Sequence, residues 1–354
     1  MMTSIAHQRI HNQHLSSTEF KKPAEVVKWL GAVQAQDYYG AKWALALRMK
    51  DATDETIEKA FANGDILRTH VMRPTWHFVT PADIRWLLKL TAPRVNAACS
   101  YNYRKFELDA SVFKRSNKAL ASALRNGRQL TRETLRTAVE RAGVAADDLI
   151  RFIHILIRSE LDGVICSGAR KGKQFTYALL DERAPQTKTL TRDEALAELA
   201  RRYFTSHGPA TLQDFAWWSG LSVADARSGL DLVQHQLVKE LIDAKTYWLP
   251  SSAPVIKHPS QAVFLLPTYD EYLIAYKDRG AAVDSKQAIP GNVVFSSPII
   301  IGGRFVGTWK RTFKNNSVII TFSPFAPFKK ADKLAVHDAA HRYATFLGLK
   351  DEFT

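Results

Sequence analysis

Apolar positions along this chain fall into short runs, and the polar residues between them read as caps and turns. The sharpest case lies mid-chain. Gly208-Pro209 is a breaker pair, and Thr211 followed three residues on by Asp214 has the pattern of a helix N-cap. A short helix through Phe215 and Trp218 then stops at Ser219-Gly220, where glycine suits a left-handed cap. Ser222 with Asp225 repeats the cap signature and opens a helix expected to run to about Leu241. Residues 245–249 form a strand candidate. Two capped helices joined by a glycine turn and followed by a strand make a helix-turn-helix with a wing.

The same plan recurs twice. Thr131 opens a helix to about Arg141, Gly143 ends it, and Asp147-Asp148 places acids at the positive end of a helix over residues 149–160. β-rich runs at 164–167 and 174–180 then enclose Gly168-Ala-Arg-Lys-Gly172-Lys173, a hairpin with a basic tip. Nearer the start, residues 23–32, 38–49 and 53–63 read as helices, with Gly64 closing the last. Residues 66–72 and 75–79 alternate as strands around Arg73-Pro74. The final part differs, with short apolar runs at 263–266, 293–295, 299–301, 305–309 and 318–322 and a helix over 330–347. The expected fold class is therefore α+β. Three tandem winged-helix units cover residues 1–92, 93–185 and 186–252, and a small β-rich C-terminal domain with a terminal helix covers 253–354. Linkers are expected near residues 91–93, 183–189 and 250–254.

Charge adds a partner to this picture. Among 354 residues, Lys plus Arg number 49 and Asp plus Glu 35, a formal net charge of +14. Such a field attracts polyanions, nucleic acid above all. The two cysteines, Cys99 and Cys166, have no metal-ligand spacing, so neither a disulfide framework nor a zinc ribbon is expected. The N-terminus lacks an apolar signal segment, and no run approaches the ~20 apolar residues of a spanning helix. A cytoplasmic, reducing location without membrane contact is the expectation. No Gly-rich phosphate loop, nucleophile elbow or His-Glu-x-x-His occurs, which disfavours kinases, P-loop ATPases, lipases and zincins.

The candidate chemistry centres on Gln34-Ala35-Gln36. Residues two apart on a helix point roughly 200° apart, so the glutamines act together only if the segment is extended or ends a helix. Gly31 makes such a break reasonable. Glutamine offers an amide donor and a carbonyl acceptor and does not titrate near neutral pH. Asp37 is the rival, as a carboxylate base or as a cap for the helix after it. Arg68, Arg73 and His77 lie on the first hairpin and can flank the pair. Arg170, Lys171 and Lys173 form a slim cationic finger suited to a groove. His7, His11 and His14 share one face if helical, a metal spacing without a supporting acid or cysteine. Asp270-Glu271 on a strand would point to opposite faces. Trp217 and Trp218 read as packing residues rather than base-stacking platforms.

Several segments together resemble the AlkZ/YcaQ-like family of winged-helix DNA glycosylases. They are residues 24–37 ending in Val33-Gln34-Ala35-Gln36-Asp37, Arg68-Thr69, Met72-Arg73-Pro74-Thr75-Trp76-His77, residues 127–131, Gly172-Lys173-Gln174, and Tyr269-Asp270-Glu271-Tyr272-Leu273 with Lys277-Asp278-Arg279. The resemblance spans nearly the whole chain in order. It implies that Gln34 and Gln36 are catalytic, with Asp37 and His77 as auxiliary candidates. Arg68, Arg73, Arg170, Lys171 and Lys173 would contact DNA. Glutamine rather than aspartate at position 36 places the chain nearer the AlkZ-like branch. The implied reaction is monofunctional hydrolysis of the N-glycosidic bond of N7-alkylated guanine in double-stranded DNA, including unhooking of interstrand crosslinks. No metal or cofactor and a monomeric state are expected. The alternative is a winged-helix DNA-binding protein without catalysis, such as a transcription regulator, in which the glutamines would be buried and internally bonded.

Overall fold

The computed structural model of the protein describes residues 5–185, 189–253, 261–283 and 296–353. Helices and strands alternate through all of it, a mixed α+β architecture. The capping signals hold at atomic detail. Thr53, Thr131, Asp148, Thr211 and Ser222 each accept a hydrogen bond from a first-turn N–H, which satisfies a donor that the helix itself leaves free. The helices they open are Asp54–Asn63, Arg132–Arg141, Leu149–Leu161, Leu212–Ser219 and Val223–Val233.

Near the start, helices Pro23–Leu30 and Tyr38–Ala46 flank a three-stranded antiparallel sheet. Its central strand is Arg73–Val79, paired on one side with Leu67–Val71 and on the other with the short strand Val33–Gln34. A second three-stranded sheet joins Leu130–Thr131, Thr176–Leu179 and Ile165–Ser167. A two-stranded hairpin, Leu237–Ile242 with Lys245–Pro250, follows the third helix pair.

Two expectations change here. The helix after Ser222 ends at Val233, not near Leu241, because residues 237–242 pair as a strand with 245–250. Asp243 and Ala244, both at positive φ, turn the chain between them. The linker expected at residues 91–93 lies inside the 22-residue helix Ile84–Lys105, and the 92/93 boundary falls within it. Pro93 removes one helical hydrogen bond, a loss of about 3 kcal/mol in an isolated helix. Burial of Leu87, Leu88, Leu90, Ala92 and Val95 along the same stretch outweighs that preference. The helices Ala110–Leu124 and Arg192–His207 were not foreseen as elements either.

The C-terminal part is β-rich, as its apolar runs suggested. Strands Val263–Leu265, Pro298–Ile301, Arg304–Lys314 and Ser317–Pro324 run antiparallel in that order. The last strand, Lys350–Phe353, adds in parallel after the helix Lys330–Leu347. The run expected at 293–295 lies outside the described residues.

What positions the site is a shared core. Val26, Leu30, Val33, Ala35, Trp43 and Phe78 form one buried apolar cluster with Leu265, Leu266, Tyr272, Trp309 and Tyr343. Trp43 and Trp309 donate their indole N–H groups to the carbonyls of Leu265 and Leu266 at 2.6 and 2.8 Å. Arg48, fully buried, is bidentate on Asp270 at 2.9 Å for both bonds. Asp270 also caps the short helix Glu271–Ile274. The turn at 270–271 is thereby held against the N-terminal sheet.

Candidate active site

The glutamine pair is extended. Gly31, at φ 84°, ends the helix Pro23–Leu30, and a Cβ there would come within 3.2 Å of the Trp218 ring. The chain then enters the strand Val33–Gln34, with Gln34 opposite His77. Pairing continues one residue further, where the Ala35 N–H donates to the Trp76 carbonyl at 2.7 Å. Extended residues two apart share a side of the chain, which is the condition for Gln34 and Gln36 to act together.

Both side chains are anchored on the same strand. An Arg73 guanidinium N–H donates to Gln34 Oε1 at 2.9 Å. The Trp76 backbone N–H donates to Gln36 Oε1 at 3.3 Å. Gln34 is 8% exposed, whereas Gln36 is open to solvent. The carbonyl between them, that of Ala35, accepts from Arg68 Nε at 3.0 Å.

Glu271 supports the pair from beneath. Its Oε1 accepts the Gln34 backbone N–H at 2.8 Å and its Oε2 accepts the Trp218 indole N–H at 2.9 Å. Burial pushes this carboxyl up, but the neighbouring His207 ring, the Gln34 N–H and Arg73 outweigh that and hold it below the usual glutamate range. The His207 Nε2 stands 3.7 Å away, too far for a hydrogen bond. Glu271 is thus a buried anion with both oxygens engaged. On a strand, Asp270 and Glu271 would point to opposite faces. The two acids instead begin a helical turn and part company, Asp270 to Arg48 and Glu271 to Gln34.

The other candidates separate by burial. His77 is fully buried, its Nδ1 is 2.9 Å from the Thr75 carbonyl, and burial with nearby Arg73 holds it well below the ordinary histidine range. It is neutral at neutral pH. Arg68 is buried, stacks over Trp76 and Phe175 at 4.2 and 4.7 Å, and burial lowers its pKa to about 10. Asp37 sits at the N-cap position of the helix Tyr38–Ala46 without making the cap bond. Its carboxylate faces Arg311 at 3.6 Å, in space that Gly40 leaves open.

On the second hairpin, Arg170 donates to the Tyr39 hydroxyl at 3.0 Å and lies 3.4 Å from Glu58. It packs over Tyr38, Tyr39 and Phe175, so its guanidinium docks against the start of the helix Tyr38–Ala46. Lys171 and Lys173 are exposed, with Gly172 at φ 59° turning the tip between them. Beside them is a cleft of about 440 Å³ lined by Arg68, Trp76, Arg132, Lys173, Phe175 and Tyr177 among others. Cations interleaved with aromatic rings suit a nucleic-acid strand.

The N-terminal histidines and the tryptophan pair have structural surroundings. His14 lies beyond the helix Ile5–Asn12 at φ 55°, so the three N-terminal histidines do not share a helical face. Trp218 is fully buried, and Trp217, 46% exposed, bonds the Ile274 carbonyl. Among the described residues, no helix is long and apolar enough to cross a membrane.

The chain matches the family described as DNA glycosylase AlkZ-like over residues 27–346. It is 25% identical over 358 residues to the interstrand DNA cross-link repair glycosylase of Streptomyces sahachiroi, covering 94% of both chains. Its fold superposes on the solved DNA glycosylase AlkZ of Streptomyces sahachiroi with a TM-score of 0.79 and 20% identity, over 100% of each chain. The family match covers most of the chain, and the chain belongs to the AlkZ-like DNA glycosylase family.

Proposed function

We propose that this protein is a monofunctional glycosylase that hydrolyses the C1′–N9 bond of N7-alkylated guanine in double-stranded DNA, including guanines tied in interstrand crosslinks. The supporting observation is the site's acid-base character. Two uncharged amides, Gln34 and Gln36, are anchored on one strand, Glu271, the carboxylate bonded to the Gln34 backbone, has both oxygens occupied by N–H donors, and Asp37 faces Arg311. Such a site has no strong base to offer. It suffices when the leaving group is already activated.

N7 alkylation supplies that activation, because the purine carries a positive charge before reaction. When C1′–N9 breaks, its electron pair moves onto the base and cancels that charge. Water oxygen adds to the oxocarbenium-like C1′, its proton passes to solvent, and the products are an abasic site and the neutral free base. The glutamines orient the water and the sugar by fixed dipoles, which act most strongly where charge develops. Neutral, undamaged purines lack this activation and react poorly. No lysine is bonded to either glutamine among the described residues, so no Schiff-base lyase step is assigned.

In this reading, the three helix pairs with their hairpins act as winged helices around the DNA. Lys171 and Lys173 contact phosphates, while Arg170 braces their hairpin. Arg68 and Arg73 shape the site from within. Asp37 and His77 have structural rather than proton-transfer roles. The protein acts as a monomer and without a metal or cofactor. The crosslink repair named for the Streptomyces relative supports extension to crosslinked guanine.

The test is base release from a duplex containing N7-methylguanine, read as alkali-labile strand breaks. Release by the wild type that is lost in Gln34→Ala and Gln36→Ala is expected. Tight DNA binding with no release would point instead to a non-catalytic DNA-binding protein. Release that survives both changes but vanishes in Asp37→Asn would overturn the roles assigned here.

A further inference from the structure

The two anchored glutamines have a defined handedness. An arginine N–H and a backbone N–H can only donate, so the side-chain atom each meets must be the glutamine carbonyl oxygen. Oε1 of Gln34 faces Arg73 and Oε1 of Gln36 faces the Trp76 backbone. Neither Nε2 has a protein hydrogen-bond partner among the described residues. Each amide therefore turns its N–H donors away from strand Arg73–Val79.

Arg73 is itself tightly placed. It follows Met72, whose φ is 65°, at the turn of the first hairpin. The Ser219-Gly220 turn presses on that turn from behind. A Cβ on Gly220 would lie 2.0 Å from the Met72 carbonyl oxygen and 3.4 Å from Arg73 Cγ. The Gly220 carbonyl is in turn held by Arg94 Nε at 2.7 Å. Burial holds the Arg73 guanidinium below the usual arginine range, and the Glu271 carboxylate, which holds the Gln34 backbone, opposes that shift.

We propose that Arg73 is a positioning residue: it pins the Gln34 carbonyl so that the Gln34 amide N–H is presented to an acceptor atom on the departing base. The inference rests on the glycosylase reading above and departs from it at one point: the Gln34 amide holds the leaving base, and Gln36 keeps the task of orienting the water. As the C1′–N9 electron pair enters the purine ring, the acceptor atoms of the base gain negative charge. An N–H donor aimed at one of them binds the transition state more tightly than the ground state.

Gln34→Glu separates donor from acceptor. It keeps the size, leaves Arg73 an acceptor, and deletes the outward N–H. Single-turnover release of N7-methylguanine is measured together with binding to an abasic product duplex and thermal melting. Gln34→Glu should bind as the wild type does and release base about 10²-fold more slowly, the scale for losing one aimed donor. Arg73→Met should lower the release rate with product binding unchanged, and Arg73→Lys should restore part of it. The Gln34→Ala/Arg73→Met double variant should be no slower than Gln34→Ala alone.

Wild-type release by Gln34→Glu, or a rate that climbs with pH as for a carboxylate base, would overturn the proposal by making the oxygen the working atom. Losses that multiply in the double variant would overturn it by giving Arg73 its own contact with DNA. Either failure leaves wild-type release intact. A wild type that releases no base refutes the glycosylase reading and this inference together. If Arg73→Met does not fold, Gln34→Glu carries the test by itself.

Discussion

The hairpin over residues 67–79 and the hairpin over residues 165–179 both carry cations beside aromatic rings, but they use them differently. In the first, Arg68 and Arg73 are directed inward, onto the Ala35 carbonyl and the Gln34 side chain. In the second, Arg170 docks on Tyr39 and Glu58, and only Lys171 and Lys173 at the tip stay in water. A count of basic residues would treat the two as equal. Burial separates them. A desolvated guanidinium with fixed partners acts as a structural strut, whereas a hydrated ammonium on a thin turn is free to replace counterions on DNA.

That contrast can be broken most severely at the site itself. Gln34→Ala should slow base release by about 10²-fold or more with only a modest fall in melting temperature, since the side chain, although buried, makes a single hydrogen bond. A large loss of melting temperature with unchanged release would erase the distinction between strut and reacting group. Glu271→Ala should come next, and it should act on stability first. It leaves the Gln34 N–H and the Trp218 indole N–H without acceptors, at about 1–3 kcal/mol each, a combined loss visible in chemical denaturation. An undisturbed denaturation midpoint would show that water satisfies those donors.

The second hairpin should respond in DNA binding. Replacing Lys171 and Lys173 with alanine should weaken binding to any duplex and flatten the dependence of affinity on salt by about 0.9 per lost phosphate contact. Arg170→Ala should weaken binding less and leave the salt slope nearly unchanged, because its charge is already neutralised by Glu58. Equal salt slopes for the lysine double variant and Arg170→Ala would collapse the comparison.

The smallest effect is in pH. His77 is held neutral in the fold, with its pKa depressed well below the unfolded value near 6.5. The unfolded chain therefore binds more protons below that value, and the stability this residue contributes is full above about pH 6.5 and lost as pH falls. His207 and His154 are depressed in the same direction, again first through burial. Thermal melting should decline from pH 7.5 to 5.5, and His77→Asn, which cannot titrate, should decline less steeply. An identical slope would remove His77 from the account.

Much of the architecture was readable in one dimension. Thr211 with Asp214, Ser222 with Asp225 and Thr53 before an acidic first turn each mark a helix start, because a cap acts on N–H groups within three residues. The basic tip around Gly172 was readable for the same reason. Where two local preferences competed, the reading failed. Residues 237–242 are compatible with helix and strand, and the partner strand 245–250 decided between them. Pro93 looked like a boundary until flanking apolar residues were buried on both sides of it.

The sequence by itself determined the short-range features: the helix starts, the turns, the net positive charge and a break at Gly31, while pairing with residues 76–78 made Gln-Ala-Gln extended. Tertiary structure alone decided which atoms those glutamines turn outward, because Glu271 meets Gln34 across 237 residues and Arg73 reaches it across 39. It also decided which cations are struts and which remain in solvent. Hydrogen bonds between distant segments and the loss of water around a charge exist only once the chain has closed on itself.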